Sequence, residues 1–436
     1  MKVAVVGTGH VGLVTGCALA SLGHDVVGTD ASADKVAMLG RGEAPFHEPG
    51  LDDLLAAGLA AGTLSFVGSI AEAVAGAEVV FVCVGRPPVG LGDRSLSAVE
   101  DSAREIARAA ADDVVLVVKS TVPPGTTARI EKVMRLERPD LRFSAVSSPE
   151  FLREGHAIDD TLRPDRLVVG AGDRRAIEVL RGLYASMIAS GVRLIETDPR
   201  TAELSKLASN AFLATKISFA NSLARVSELS GADVEGVTEI MGADPRIGPA
   251  FLRAGIGFGG YCLPKDIVTL ERVSAKLGYD FAMLREVSRV NEEALDAVAR
   301  KVEEAIWNLE GKTVALFGLA FKAGTDDVRG APALELAARL ASEGSEVVAY
   351  DPMVEAAHAG HGPIEVVRDP YAAATGAACI VVCTEWPQIL ELDLGRLKDV
   401  MTQPSIVDGR NLLDAEVLAR AGFSYHPVGR ASVELA

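Results

Sequence analysis

The stretch Val3-Ala4-Val5-Val6-Gly7-Thr8-Gly9-His10-Val11-Gly12 decides the fold. A short run of apolar residues ends in GxGxxG and leads into a helical pattern. Gly7 permits a tight turn, Gly9 lets backbone approach a pyrophosphate, and Gly12 lets the following helix pack closely on the strand. The helix N-terminus then offers N–H groups to phosphates. Asp30 ends the next apolar run, 18 positions beyond Gly12, where a carboxylate meets a ribose 2′-hydroxyl. Such a carboxylate repels a 2′-phosphate, so the expected dinucleotide is NAD rather than NADP. Taken alone, the glycines also fit a packing cluster beside a solvated aspartate.

Outward from this stretch, unbroken apolar runs alternate with helical segments. They read as strands over Val3–Val6, Asp25–Gly28, Val79–Val84, Val114–Val118 and Leu167–Val169. Runs without polar alternation suit parallel strands covered on both faces. From about Thr201 to Lys301 the pattern becomes helical. After Gly311 the alternation returns, with strands over Thr313–Phe317, Glu346–Ala349, Cys379–Val382 and Ser405–Val407. The two ends resemble each other: Gly23 to Asp30 matches Gly344 to Asp351, and Ala77 to Val84 matches Ala377 to Thr384. The expected fold is α/β, with two doubly wound Rossmann-like domains joined by a central helical region.

The chain has 436 residues, 49% hydrophobic and 24% charged. Disorder and coiled coil do not fit that composition. Lys and Arg number 43 against 60 Asp and Glu, a net charge of −17. This argues against a nucleic-acid partner, which calls for a basic face. Helix N-termini can still hold a small anion. The five cysteines include no CxxC pair, so a disulfide framework is not expected and a reducing, cytoplasmic setting is. The longest apolar runs, such as Val79–Val84, are too short to span a bilayer. No metal motif appears.

Gly257-Phe258-Gly259-Gly260-Tyr261-Cys262-Leu263-Pro264-Lys265-Asp266 is the most informative stretch for chemistry. Its glycines allow close approach to a ligand. Pro264 is well placed as a first helical residue, which puts Cys262 just before a helix N-terminus, near Lys265, where a thiol pKa falls. Cys17, Cys83, Cys379 and Cys383 lie in strand or helix patterns and read as inert core thiols. Lys206 and Asn210 share one helix face; spacing alone fits either a surface lysine or a buried cation. Lys119-Ser120-Thr121 and Ser148-Pro149-Glu150 each follow a strand, at the carboxyl ends where ligands gather in open α/β sheets.

Together these residues closely resemble the UDP-glucose/GDP-mannose dehydrogenase family over nearly the whole chain. The strongest matches are the Cys262 loop, Asn210 to Lys216, and Gly318 to Arg329. The resemblance implies two successive hydride transfers from the C6 alcohol of UDP-glucose to NAD. GDP-mannose and other UDP-sugars are the alternatives. It implies Cys262 as the nucleophile that captures the aldehyde, Lys206 with Asn210 as oxyanion stabilisers, and Asp266 as a carboxylate that orients or deprotonates water and substrate. Thr121 and Glu150 fall around the reacting centre, with Glu150 a base for hydrolysis. Gly7, Gly9, His10, Val11, Gly12, Asp30, Lys35, Arg86, Thr121, Glu150, Lys265 and Arg329 fall on the cofactor side. Phe151, Leu152, Glu154, Lys206, Asn210, Arg246, Phe251, Gly257, Lys322 and Arg410 fall on the substrate side.

It further implies a Rossmann domain over 1–197, a helical dimerisation region over 198–305 and a UDP-sugar-binding domain over 306–436, in a homodimer that lends Arg246 across subunits. The chain departs from the family pattern at His10, often Tyr, at Arg86, often Thr, and at Tyr261, often Ser. Rival readings are a two-electron β-hydroxyacid dehydrogenase, which also carries GxGxxG and a helical Lys-xxx-Asn pair, and a catalytically silent sugar-nucleotide sensor. Neither accounts for Cys262.

Overall fold

The structure, a computed structural model, describes residues 1–85, 96–355 and 364–434. Packing divides the chain into two units, Met1–Ser209 and Asn210–Ala436. In the first unit the strands are β1 (Lys2–Val6), β2 (Asp25–Thr29), β3 (Leu64–Val67), β4 (Val79–Val82), β5 (Val114–Val118), β6 (Phe143–Ser147), β7 (Arg166–Ala171) and β8 (Arg193–Thr197). They form one sheet in the order β3-β2-β1-β4-β5-β6-β7-β8. The order reverses between β1 and β4, the switch point at which such sheets bind ligands. Strands β4, β5 and β6 are buried along their whole length, as both-face coverage requires.

Two expectations need correction here. The sheet is not parallel throughout, because β6 and β7 pair antiparallel. The connection between them spends its residues on an irregular stretch and on the six-residue helix Ala157–Leu162. At ~1.5 Å per residue that helix is too short to carry the chain back along a strand. The strand expected over Val79–Val84 also stops at Val82, since the Cys83 N–H donates to Val6 O and closes the ladder.

The second unit holds β9 (Thr313–Phe317), β10 (Glu346–Tyr350), β11 (Glu365–Val367), β12 (Ala377–Val382), β13 (Ser405–Asp408) and β14 (Ser424–Pro427). Their order is β11-β10-β9-β12-β13-β14, parallel throughout. The helices Val234–Gly242, Cys262–Lys276 and Ala282–Ile306 belong to this unit, and the helix Pro199–Ser230 runs into it. Ala220, Ala224, Val298 and Val302 share a buried core with Val314, Leu316 and Val381. The helices Pro199–Ser230, Val234–Gly242 and Ala282–Ile306 therefore share one hydrophobic core with the second sheet.

The internal resemblance is structural. The order β3-β2-β1-β4-β5 recurs as β11-β10-β9-β12-β13. Gly7 (φ 93°) donates its N–H to Thr29 O at 2.8 Å, and Gly318 (φ 99°) donates to Tyr350 O at 2.7 Å. Asp30 accepts from Thr8 N at 2.8 Å. Asp351, its counterpart, accepts on one oxygen from Leu319 N, Ala320 N and Trp386 Nε1 at 2.7, 3.0 and 3.0 Å. Asp351→Ala would strand those buried donors, each worth ~1–3 kcal/mol. We expect a loss of about 3 kcal/mol or more in urea unfolding; a loss below ~1 kcal/mol would mean that the donors find other partners.

Candidate functional site

In the first unit the turn after β1 forms a cradle. A Cβ on Gly12 would lie 1.8 Å from Gly7 O, and one on Gly7 would lie 2.9 Å from the Cys83 carbonyl. Glycine is required at both positions. A Cβ on Gly9 would meet nothing within 4 Å, so the loop is open where a pyrophosphate would lie. Gly9 precedes the helix His10–Ser21, which no side chain caps. The first-turn N–H groups of such a helix suit an anion, and the cradle fits a dinucleotide.

Asp30 sits beside it. One carboxylate oxygen accepts from Thr8 N, from Thr8 Oγ1 at 2.9 Å and from Lys35 Nζ at 3.0 Å; the other accepts from Ser32 N at 3.2 Å. Burial opposes the charge, but the donors on Thr8, Lys35 and Ser32 outweigh it and hold the pKa below the usual aspartate value. The His10 ring stacks on Phe46 at 3.6 Å, and Val11 is half-buried. Arg86 lies outside the described residues.

Glu150 follows β6 and forms an ion pair with Lys206 at 3.0 Å, the two side chains being 10% and 5% exposed. Its other oxygen accepts from Leu152 N at 2.9 Å. Lys206 is therefore a buried, paired cation and not a surface lysine. Truncating either partner would leave an uncompensated buried charge, which costs about 3–5 kcal/mol. The Phe151 ring lies under Arg166 at 3.9 Å and 5.4 Å from Lys206 Nζ. Thr121, Leu152 and Glu154 are half-buried. Glu203, one turn before Lys206, accepts from Thr127 N and Oγ1 at 2.7 and 2.6 Å. These bonds fix the first turns of the helix against the Thr126–Glu137 helix, while burial pushes the Glu203 pKa up.

In the second unit the glycines of the Cys262 loop sit in contacts that no side chain could share. A Cβ on Gly259 would lie 2.2 Å from Gly330 O, and one on Gly260 would lie 2.9 Å from the Phe321 ring. Gly257 has φ 105°. Asn291 accepts from Phe258 N at 2.7 Å and donates to Phe258 O at 3.0 Å. The helix starts at Cys262 and not at Pro264 as the sequence suggests. First-turn N–H groups make no intrahelical bond, so proline fits at the third position too. Cys262 is exposed. The other four thiols are buried, and burial pushes each up to about 12. Those four stay protonated at neutral pH.

Asp266, fully buried, accepts from Asn210 Nδ2 at 2.7 Å, and its other oxygen lies 3.4 Å from Lys265 Nζ. Lys265 and Arg329 both lie over the Tyr261 ring, at 4.7 and 4.8 Å. Arg329 also makes a twin bond to Asp327 at 2.9 and 2.6 Å. Arg410 donates to Cys383 O at 2.8 Å and Gly257 O at 3.2 Å. Lys322 lies over Phe321 at 5.8 Å, and Phe251 holds φ 63°. Arg246 joins none of these groups; it is exposed and pairs with Asp244. Sequence reading missed Asn291 and Glu203. Each lies 33 or more residues from the backbone it holds, and no local pattern marks it. Among the described residues no group of three or more His, Cys, Asp or Glu could hold a metal, and no helix is long and apolar enough to cross a membrane.

Known proteins resemble the chain over almost its full length. Residues 1–188 match the NAD binding domain of the UDP-glucose/GDP-mannose dehydrogenase family, 200–293 its central domain and 315–415 its UDP binding domain. A UDP-glucose 6-dehydrogenase of Pseudomonas aeruginosa is 42% identical, covering 99% of this chain and 98% of that protein. The solved UDP-glucose dehydrogenase of Pyrobaculum islandicum is 39% identical, with TM-score 0.91 and 98% of each chain covered. The UDP-D-ManNAc dehydrogenase of Pyrococcus horikoshii is 29% identical, with TM-score 0.89, 99% of this chain covered and 100% of that one.

Two glycine substitutions separate packing from ligand approach. Gly12→Ala should destabilise the first unit and abolish NAD binding. Gly9→Ala should melt like the wild type while its affinity for NAD drops about tenfold or more, read by thermal unfolding and NAD titration. Equal NAD affinity in Gly9→Ala would remove the pyrophosphate from this loop. The lowered Asp30 pKa implies stability that is present above the ordinary aspartate value of 3.8 and lost as pH falls through the lower folded value. Asp30→Asn should therefore lessen the acid-limb stability loss in a pH series of melting curves.

Proposed function

The chain belongs to the UDP-glucose/GDP-mannose dehydrogenase family, and on that premise we propose that it acts as an NAD-dependent UDP-glucose 6-dehydrogenase, carrying UDP-glucose to UDP-glucuronate by two oxidations. The observation that carries this reading is the first turn of the Cys262 helix. It places the one exposed thiol of five one turn before a fully buried Asp266 that is held by Asn210. A two-electron dehydrogenase has no use for that thiol.

Gly7, Gly9, His10, Val11, Gly12, Asp30 and Lys35 would hold NAD, with Arg86, Thr121, Glu150, Lys265 and Arg329 as further cofactor-side contacts. Hydride acceptance in each oxidation, alcohol to aldehyde and thiohemiacetal to thioester, is the chemistry that NAD would supply when bound. The Cys262 thiolate adds to the aldehyde carbon, forming a C–S bond and an oxyanion. Lys206 and Asn210, one turn apart on one helix, stabilise that oxyanion. After the second oxidation, water adds to the thioester carbon while Glu150 takes its proton. Collapse breaks the C–S bond and returns the thiolate. Asp266 orients the Asn210 amide. One water is consumed, and three protons leave with the carboxylate.

The sugar-nucleotide contacts would be Phe151, Leu152 and Glu154 of the first unit and Phe251, Gly257, Lys322 and Arg410 of the second. The functional segments are the dinucleotide domain over 1–197, the helical region over 198–305 and the UDP-sugar domain over 306–436. Phe212, Phe219 and Val226 recur every seventh residue on the helix Pro199–Ser230 and are 64%, 52% and 59% exposed. An exposed apolar row of this kind seeks a partner, which supports a homodimer through the central helices with Arg246 reaching the partner's site. An exposed thiol nucleophile suits the reducing cytoplasm.

Limiting UDP-glucose with excess NAD, followed at 340 nm, should give two NADH per sugar. Cys262→Ala should show no sustained turnover. Lys206→Ala should lower kcat by ~10²–10³-fold, the usual effect of removing one oxyanion donor. One NADH per sugar in the wild type would mean that the second oxidation is absent and the role of Cys262 is wrong.

A further inference from the structure

A cavity of about 190 Å³ lies inside the first unit, bordered by the helix His10–Ser21, the segment 148–153 and the start of β7. Thr15, Lys119, Ser148, Glu150 and Tyr184 line it, and the exposed Arg153 and Asp159 stand at its rim. Three of the lining hydroxyls, Thr15 Oγ1, Ser148 Oγ and Tyr184 OH, have no partner among the described residues, although their residues are only 3%, 1% and 3% exposed. Lys119 is 9% exposed, and no described residue accepts a hydrogen bond or forms an ion pair with its ammonium.

A buried hydroxyl without a partner is destabilising, because its lost hydration is not replaced. Three such hydroxyls around one space are a stable arrangement only if that space is wet. Polar cavities hold ordered water at roughly 30 Å³ per molecule, which gives room here for about six waters. The cavity lining includes both Glu150 and the exposed, charged Arg153 and Asp159. The thioester hydrolysis assigned above puts a proton on Glu150 that must leave before the next turnover.

We propose that this cavity holds a chain of waters that carries the proton from Glu150 to solvent during thioester hydrolysis, with Thr15, Ser148 and Tyr184 as positioning residues for the waters. The proposal rests on the reading of Glu150 as the hydrolytic base. Water donates the proton to the Glu150 carboxylate as its oxygen adds to the thioester carbon. The carboxyl passes that proton to the first cavity water, the hydroxyls bridge successive waters, and bulk solvent receives it at the rim. No redox partner is involved. The Lys119 charge turns the water oxygens inward and disfavours a proton resting in the chain.

The test is a quenched single-turnover experiment on Thr15→Val/Tyr184→Phe, which removes two hydroxyls and keeps side-chain volume. The first hydride transfer should be unchanged. Hydrolysis should slow about tenfold, with a larger solvent deuterium isotope effect, and added imidazole should restore it by taking the proton directly. A wild-type hydrolysis rate, or a slowed rate that imidazole does not restore, overturns the proposal. If the double variant does not fold, Tyr184→Phe alone is held to the same outcomes. Glu150→Gln separates the two readings. Wild-type hydrolysis in that variant removes Glu150 as base and the proposal with it. Blocked hydrolysis there, beside a double variant with the wild-type rate, removes only the relay.

Discussion

In each sheet a strand ends in a turn so tight that a glycine has no room for a side chain. Gly7 O lies where a Cβ of residue 12 would be, and the Thr384 side chain stands 2.3 Å from the place of a Cβ on Gly318. Everything at the switch points follows from that contact. It aims the helix N-terminus across the sheet edge, brings the neighbouring strand end alongside, and leaves one aspartate on the second strand to hold the turn. The two copies differ in what remains to be bound. Asp30 takes only the first N–H after its glycine, and the loop beyond is open. Asp351 takes two successive N–H groups and an indole as well. Space left open beyond the first turn is closed in the second, where the loop donors are already used.

Buried charge imposes the next constraint. Lys206, Glu150, Glu203 and Asp266 are each nine-tenths or more removed from solvent, so each needs a partner of fixed geometry. Lys206 finds Glu150; Glu203 finds the start of the Thr126–Glu137 helix; Asp266 finds Asn210 and Lys265. The same requirement makes these side chains rigid, which a group meant to stabilise a developing oxyanion must be. Cys262 stands apart from them. Four thiols are silenced by burial, and the fifth is left exposed in the first turn of a helix.

Much of this was legible in the chain before it was folded. A strand covered on both faces must be apolar without alternation, and β4, β5 and β12 announce themselves for that reason. Short edge strands such as β3, β8 and β11 carry mixed sequence and do not. The antiparallel β6–β7 pair was hidden because strand direction depends on the length of the connection, not on strand composition. The start of the Cys262 helix was misplaced by two residues because proline is accepted anywhere in a first turn.

The sequence by itself determined the glycine turn, the aspartate spacing, the central helical segment and the candidate thiol, since each is a local requirement of backbone geometry or residue chemistry. Only the tertiary structure decided that Lys206 is buried and paired, that Asn291 holds the Cys262 loop, that Arg246 stays on the surface, and that three hydroxyls and Lys119 line a common cavity. Those outcomes turn on which distant side chain meets which. Local spacing limits the choice, and packing makes it.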